Sequence, residues 1–552
     1  MEAKDIISQV QKVKESAVRV ALKTRWDSDL NIYLRDAHKM KGSNGNALPG
    51  VYNVTSADPQ TYMDRITGLM SRAEPRLRVV SSMSDEQVRM VENWWKCVLY
   101  SANQLYSGNS ETALFPSLAF YTNLRGFPIT RNVIYRDENN KTVFEIKPLD
   151  SYDTFWKKYG NKLSWACVIS TMEPEDIEAF FGVPIKEKTE VYNYWGKDGV
   201  EYIIIGDNFL SKPRDYIKYV PFSICPVATT PQVNGTNTKK DSMVGESLYH
   251  SVRDTIKERN DILSIIKTHA MLGMRPPLVH TSDGTTAREI KEYPAEWGTV
   301  MEQLAEEKFD SLKFSDMANT NAMFFNMMDG EYQRGTVPNN EYGGLNFQLS
   351  SLALDTLSSQ RGVVFLPRQT TLENMYKSIF NQMFQQFIDG NFDTKMIDDS
   401  GKEIVVKFTD LAPLQSKFRI DFDVDVESPE QETSNYQKAV MALNARMPLD
   451  FIVRNVFKAE DPDRLLAIIA DENLMRELPE IRLVRAYDQA MKDSVNLKGD
   501  EKAAKLLEAK FLEGRIAQII QSMQPQQPGP TQGIAPGQAG PGRGAPPAQG
   551  VM

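Results

Sequence analysis

The chain has 552 residues, 41% of them hydrophobic and 25% charged, with a formal net charge of −9. This composition supports a packed core and excludes a whole-chain basic coat for nucleic acid, so any contact with DNA would be local. Cys97, Cys167 and Cys225 are too scattered for a disulfide framework or a thiolate metal site, which fits a reducing compartment.

The length suggests about three to four domains. The opening residues, MEAKDIISQVQKVKESAVRVALK, lack the apolar core of a signal peptide. No run of about 18 apolar residues predicts a membrane span. Residues 5–22 are expected to form a helix, with Ile6, Val10, Val13, Val18 and Leu22 roughly on one face. Further helices are expected at 62–73 and at 85–106, the second carrying Trp94 and Trp95. The period then changes to two. Residues 131–150 predict a hairpin around Asn139-Asn140, and 189–208 a hairpin around Lys197-Asp198-Gly199. Residues 1–240 thus combine a helical start with antiparallel sheet, and the chain as a whole is expected to be α+β, mainly helical.

A polar loop at 229–244 precedes a predicted helix over 245–272, about 42 Å long at 1.5 Å per residue. Leu248, Val252, Ile256, Leu263 and Ile266 form its apolar stripe, and Arg253, Lys257 and Lys267 lie largely off it. The pattern stops at Arg275-Pro276-Pro277. Short strands and turns are expected at 278–281, 283–284 and 297–301, then helix at 317–334. Residues 335–346, with Pro338 and three glycines, cannot be helical. Helices resume at 347–360 and 371–389. Residues 418–426 alternate strictly, with Phe418, Ile420, Phe422, Val424 and Val426 on one face and Arg419, Asp421, Asp423, Asp425 and Glu427 on the other, as in a half-buried strand. If this late strand joins the early sheet, the helix–strand–helix insert becomes a long hairpin on one body. Residues 430–523 read as helical, broken at Pro448, Pro462 and Pro479. Residues 524–552, with seven Pro, seven Gly and one charge, predict a disordered tail.

Little of this carries chemistry. There is no phosphate-binding loop: WGKDG and SGKEI lack the following Ser/Thr and the upstream glycine. No nucleophile elbow or zinc-protease motif occurs. His38, His250, His269 and His280 are scattered, and His250 and His269 lie about five turns apart on the predicted helix, too far to share a metal. Asp421, Asp423 and Asp425 could attract a hard cation, but same-face carboxylates stand about 7 Å apart with no loop to wrap the ion. No catalytic, metal or cofactor site is therefore expected, and the chain is not expected to be an enzyme. A metal-dependent nuclease using those three aspartates is one competing reading, and a helical structural adaptor or scaffold without a DNA channel is another. The long helix itself supports two readings. It is either an ordinary core helix with a solvated face, or a helix packed against copies of itself, repeating its basic residues around a ring where they attract phosphate without reading sequence.

The order of elements resembles that of tailed-bacteriophage portal proteins, the head-to-tail connectors of short-tailed phages in particular. VGESLYHSVRDTIKERNDILSIIK is similar to the family's first stem helix, with Gly245, Ser247 and Asn260 at the matching places. RPPLV followed by small strands resembles the clip. YGGLNFQLSSLALDTL is similar to the segment after the tunnel loop, matching at Gly344, Asn346, Ser351, Ala353 and Leu354. It departs where Ser350-Ser351 stands for the common Ser-Gly and where Asn346 is displaced. RGFPITRNVIYRDENNKTVFEIKPLDSYDTFW resembles the wing sheet. Together these cover most of residues 50–430.

The resemblance implies a wing over 1–240, a first stem helix at 245–272, a clip at 273–314, a second stem helix at 315–334, a tunnel loop at 335–347, wing helices and a returning strand at 348–429, and a helical crown at 430–523. It implies a homo-dodecamer at one capsid vertex through which double-stranded DNA passes during packaging and ejection, located in the virion and, during assembly, in the host cytoplasm. Terminase, scaffolding and major capsid proteins and head-completion adaptor or tail proteins are the implied partners; no cofactor and no catalysis are required. By the same resemblance Arg253, Lys257 and Lys267 would face the channel from the stem, Asn339, Asn340, Glu341, Tyr342 and Asn346 would lie in the tunnel loop, and Arg275 and Trp297 would sit in the clip where adaptors dock. A second placement of the tunnel loop, at 359–370, would turn Arg361 and Arg368 toward DNA.

Overall fold

The computed structural model describes residues 2–523 apart from 74, 82, 109–110, 161, 229–243, 275–277, 282–307, 312–317, 337–350, 398–402, 425–428, 458–464, 467, 471, 474–479 and 497–499. It is mainly helical with antiparallel sheet, as expected. The chain divides into two compact units, Met1–Gln437 and Lys438–Met552.

The expected first helix is two helices, α1 (Ala3–Lys14) and α2 (Ala17–Tyr33). Ser16 separates them in an extended conformation, and its hydroxyl accepts the Arg19 N–H at 3.3 Å. A serine there satisfies a donor that the helix start leaves unpaired. The apolar stripe continued across this break, so periodicity alone did not reveal it. Arg19 is buried and donates to the carbonyls of Ser151 and Thr154, with Trp26 and Phe155 against its guanidinium at 4.8 and 4.6 Å. This ties α2 to the sheet region. There follow α3 (Asp58–Ser71), β1 (Arg76–Ser81), α4 (Asp85–Gly108) and α5 (Leu114–Leu124).

Both predicted hairpins form. β2 (Ile129–Arg136) pairs with β3 (Thr142–Leu149) around Asn140, whose φ is +59°. β2 also pairs with β9 (Phe222–Ile224), giving the order β3-β2-β9. A five-stranded antiparallel sheet carries β4 (Thr154–Tyr159), β5 (Lys162–Met172), β6 (Thr189–Gly196), β7 (Glu201–Ile205) and β8 (Asn208–Lys212) in chain order, with α6 (Pro174–Phe181) between β5 and β6. The β6–β7 turn depends on Gly199: its φ is +77°, and a Cβ there would lie 1.9 Å from the Ile217 carbonyl oxygen, a place only glycine can occupy. Ile6 and Val10 of α1 cover one face of this sheet with Phe155, Trp165, Cys167 and Tyr192.

The main core is aromatic. Trp94 of α4 meets Phe380, Phe384 and Phe387 edge-on, at centroid distances of 5.1, 5.3 and 5.7 Å. These phenylalanines belong to α9 (Ser351–Asp389), a single helix of 39 residues where two were expected. Pro367 lies inside it. Proline cannot donate to the preceding turn, yet the helix continues through it. On the next turn the Thr371 hydroxyl donates to the Pro367 carbonyl at 2.8 Å, and the neighbouring Gln369 amide donates to the Val424 carbonyl at 2.9 Å. β12 (Asp393–Ile397) and β13 (Glu403–Lys407) form a hairpin after it.

The late strand β14 (Phe418–Asp423) forms with the predicted facing: Ile420, Phe422 and, just beyond it, Val424 are buried. Its partner, left open by the sequence, is β1, with which it pairs antiparallel, and not the sheet at 130–225. In this register Arg76 lies opposite Asp423 and Arg78 opposite Asp421, an arrangement of opposite charges that favours the pair. In the second unit, α11 (Glu480–Asn496) and α12 (Asp500–Met523) pack on one another, and α10 (Pro429–Asn444) leads into that unit. The predicted tail at 524–552 lies outside the described residues.

Candidate functional site

The insert between the sheets is a helical hairpin. α7 (Arg253–Met274) is followed by β10 (Leu278–Thr281), which pairs antiparallel with β11 (Lys308–Ser311), and the chain returns through α8 (Ala318–Gly335). α7 begins at Arg253, not at Gly245 as predicted. Gly245 has φ +74°, and a Cβ there would lie 1.7 Å from the Phe127 ring, so the backbone turns at this point. Leu248, Val252 and Ile256 are buried as the apolar stripe required. Ser251 donates to the Gly335 carbonyl at 2.8 Å, which closes the base of the hairpin where α7 starts and α8 ends. The expected turn at 283–284 and strand at 297–301 lie outside the described residues.

Three arginine and histidine contacts seat α7. Arg253 grips Asp29 of α2 through two hydrogen bonds of 2.6 and 2.9 Å and donates to Ser247 at 3.3 Å. Asp29 is wholly buried, so burial demands this partner. Arg259, also buried, donates to Asp58 at the start of α3, to the Ser56 hydroxyl at 3.3 Å and to Asp329 of α8 at 3.0 Å. Its guanidinium lies 5.1 Å from the Tyr332 ring centre and 5.6 Å from that of Phe325, so one side chain joins both helices of the hairpin to the body. His38 bonds Asp261 at 2.8 Å.

A polar seam continues along α7. Asn260, Ser264 and Thr268 accept the backbone N–H groups of Ser56, Val54 and Tyr52 at 3.0, 2.9 and 3.0 Å. Apolar periodicity does not reveal this contact, but a polar signal for it is present: an Asn, a Ser and a Thr at i, i+4 and i+8, one stripe on a helix.

Of the three cations expected to face a channel, Lys257 and Lys267 are exposed on α7, whereas the charge of Arg253 is neutralised within the chain by Asp29. Arg275, Trp297, Asn339, Asn340, Glu341, Tyr342 and Asn346 lie outside the described residues. The alternative tunnel loop at 359–370 is corrected: those residues are α9 helix, and Arg368 is buried. Burial pulls its guanidinium pKa down, opposed by Tyr62 and Glu246. A charge held in that way inside the body cannot face DNA. Asp421 is occupied by Lys377 at 3.0 Å and Arg419 at 2.9 Å. Burial pushes its carboxyl up, but these two partners outweigh that and hold it below the usual range. Asp425 lies outside the described residues. Among the described residues no group of three metal-ligating side chains converges, and no helix is long and apolar enough to cross a membrane.

No protein-family model matches the chain, and no curated protein matches it significantly. Among solved structures it is similar to a chain in the virion of a native gene transfer agent particle, with a TM-score of 0.36 and 12% identity over 72% of this chain and 88% of that one. It is also similar to a chain in the neck of a native particle of that kind, computed with C12 symmetry (0.36, 11%, 78% and 98%). A third is in the neck of an empty particle, computed with C6 symmetry (0.38, 11%, 71% and 90%). Identities and TM-scores of this size assign no family.

Proposed function

We propose that the chain is a portal protein: a subunit of a ring, about a dozen copies round, that conducts double-stranded DNA at one capsid vertex and provides a docking platform for terminase and head-completion or tail proteins. The observation that carries the reading is the hairpin. The chain leaves through α7, makes one small antiparallel β unit, and returns through α8 between sheet-rich sequence and the long core helix α9. This is the order a stem–clip–stem insert requires. The boundary between the two compact units, at 437/438, lies close to the proposed start of the crown at 430. In this reading residues 1–240 and 348–429 are wing, 273–314 clip and 335–347 tunnel loop. The exposed Lys257 and Lys267 are the stem cations that meet phosphate, while Arg253 holds the stem to the wing.

No bond-making chemistry is asked of such a ring. A lining with few cations keeps DNA mobile, because each phosphate neutralised adds to affinity, and the net charge of −9 suits a conduit better than a coat. The test is the solution mass of the purified chain together with negatively stained particles. Rings of about a dozen subunits are expected. A particle that stays at 62.6 kDa at high concentration and yields no rings overturns the proposal in favour of a helical adaptor or scaffold. Given rings, Lys257→Asp should alter packaging, and unchanged packaging removes Lys257 from the channel wall.

A further inference from the structure

Residues 38–56 form no helix and no sheet beyond one bridge between Lys41 and Ala47, yet they lie along α7 in a regular way. Three alternate backbone N–H groups, those of Ser56, Val54 and Tyr52, donate to Asn260, Ser264 and Thr268. Four helical residues rise about 6.0 Å, and two extended residues advance about 6.6 Å. The two repeats match closely enough for an extended segment to run antiparallel along the helix with one bond per helical turn. The residues between have the complementary role: Asn53 and Thr55 accept the N–H groups of Met40 and His38 at 2.8 and 2.9 Å. The Ser264 and Thr268 hydroxyls spend their own protons on the carbonyls of Asn260 and Ser264, both at 2.7 Å. Each hydroxyl therefore presents only lone pairs to the strap. The helix stands in for a neighbouring strand.

What holds the strap is as informative as how it is held. No residue from 34 to 57 is buried, so almost no apolar surface anchors it, and its grip is a row of hydrogen bonds. Beside its Thr55–Ser56 end, between α2 and α7, lies a cavity of about 530 Å³ lined by Asn31, Asp36, Lys257 and other polar groups. Water can reach the bonds from there and replace them. Apart from the strap, Arg253 and Arg259, in the first seven residues of α7, hydrogen-bond to the body through Asp29 and Asp58, whereas Asp261 bonds His38 of the strap itself.

We propose that residues 38–56 are a releasable latch that sets the angle of the α7–α8 hairpin on the body. Closed, the latch fixes α7 as far as Thr268; open, the hairpin pivots near Arg253. Arg259 couples the two states to the returning helix, since it bonds both Ser56 of the latch and Asp329 of α8. The proposal concerns one protomer and stands whether or not the chain forms a ring.

The test is amide hydrogen exchange on the full-length chain. The Tyr52, Val54 and Ser56 amides are expected to be protected although they lie outside helix and sheet. Ser264→Ala removes the central acceptor while favouring the helix, so α7 should persist. All three amides should then exchange about tenfold faster, the size of effect one hydrogen bond supports. Ser264→Thr should restore protection, and Thr268→Val should repeat the loss from the next rung. Unprotected amides in the parent chain, or acceleration at Val54 alone, overturn a latch that opens as a unit. Its effect on the hairpin is read from spin labels at Met323→Cys on α8 and Tyr159→Cys on β4, in a Cys225→Ser background. Ser264→Ala should broaden their distance distribution, and an unchanged width overturns the angle-setting role.

Discussion

The aromatic core and the seam along α7 hold the same unit together by opposite means. In the core, Trp94, Phe380, Phe384 and Phe387 are nearly or wholly inaccessible and meet one another and neighbouring rings such as Phe144, Phe418 and Phe422. In the seam, Arg253, Arg259, Asn260, Ser264 and Thr268 meet the body through hydrogen bonds, and most of what they hold is only partly buried. Apolar burial is strong and non-directional, so the core fixes that the elements meet. Hydrogen bonds are weak in net terms but directional, so the seam fixes how α7 is aimed. A hairpin that must hold one direction and still yield is better mounted on the second kind of contact.

The sharpest way to test that contrast is to remove one element from each region. Trp94→Ala opens a cavity between α4 and α9 and should cost about 4 kcal/mol, read as a shift of the urea midpoint of the first unit with little change in slope. Arg253→Ala should cost about 3 kcal/mol, because it leaves the Asp29 carboxylate buried without its cation. Asp29→Asn added to Arg253→Ala should recover part of that loss, since an amide needs no counter-charge. If the double variant is no better than the single one, the seam at Arg253 is held by packing, and the contrast with the core fails there.

The core was largely readable from sequence, and the seam was not. Trp94 and Trp95 on a helical pattern, the alternation of Phe418, Ile420 and Phe422, and the two hairpin turns each follow from a period that burial imposes on one chain segment. The break at Ser16 was hidden because the apolar stripe resumes in phase beyond it. Two helices were expected where α9 is one; the segment between them holds Pro367, a local signal against helix, and the helix continues through it with Gln369 bonded to the Val424 carbonyl. The alternation at 418–426 marks β14 as a strand but leaves its partner open, and the strand pairs with β1. Strand pairing depends on residues far away in the chain, here the whole of β1, 76–81. Arg253 was read as a free cation for the same reason, since nothing near it in the chain announces Asp29. Asn260, Ser264 and Thr268 do form a polar stripe at i, i+4 and i+8, but the stripe does not say which segment it meets, and that partner, residues 52–56, is set by the fold.

The smallest effect is expected where charge lies on the surface of the β1–β14 ribbon. Asp421 is held below the usual carboxylate range by Lys377 and Arg419, and Arg78 stands across from it in register. A carboxyl whose folded pKa is depressed contributes stability above its unfolded value, near 3.9, and loses that contribution as pH falls through its lower folded value. Between about pH 5 and pH 2, the parent chain should therefore lose stability at this site. Asp421→Asn should be less stable than the parent at neutral pH by about 1 kcal/mol, since the Lys377 and Arg419 partners are open to solvent and screened, and the difference should vanish toward pH 2. Urea midpoints at pH 7, 4 and 2.5 measure it. High salt should shrink the neutral-pH difference, while leaving the effect of Trp94→Ala unchanged, and that divergence separates surface charge from core burial in one experiment. A cost at Asp421 as large as that at Arg253 would mean that the ribbon is a second polar mount, and the distinction between a core that fixes contact and a seam that fixes direction would have to be drawn elsewhere.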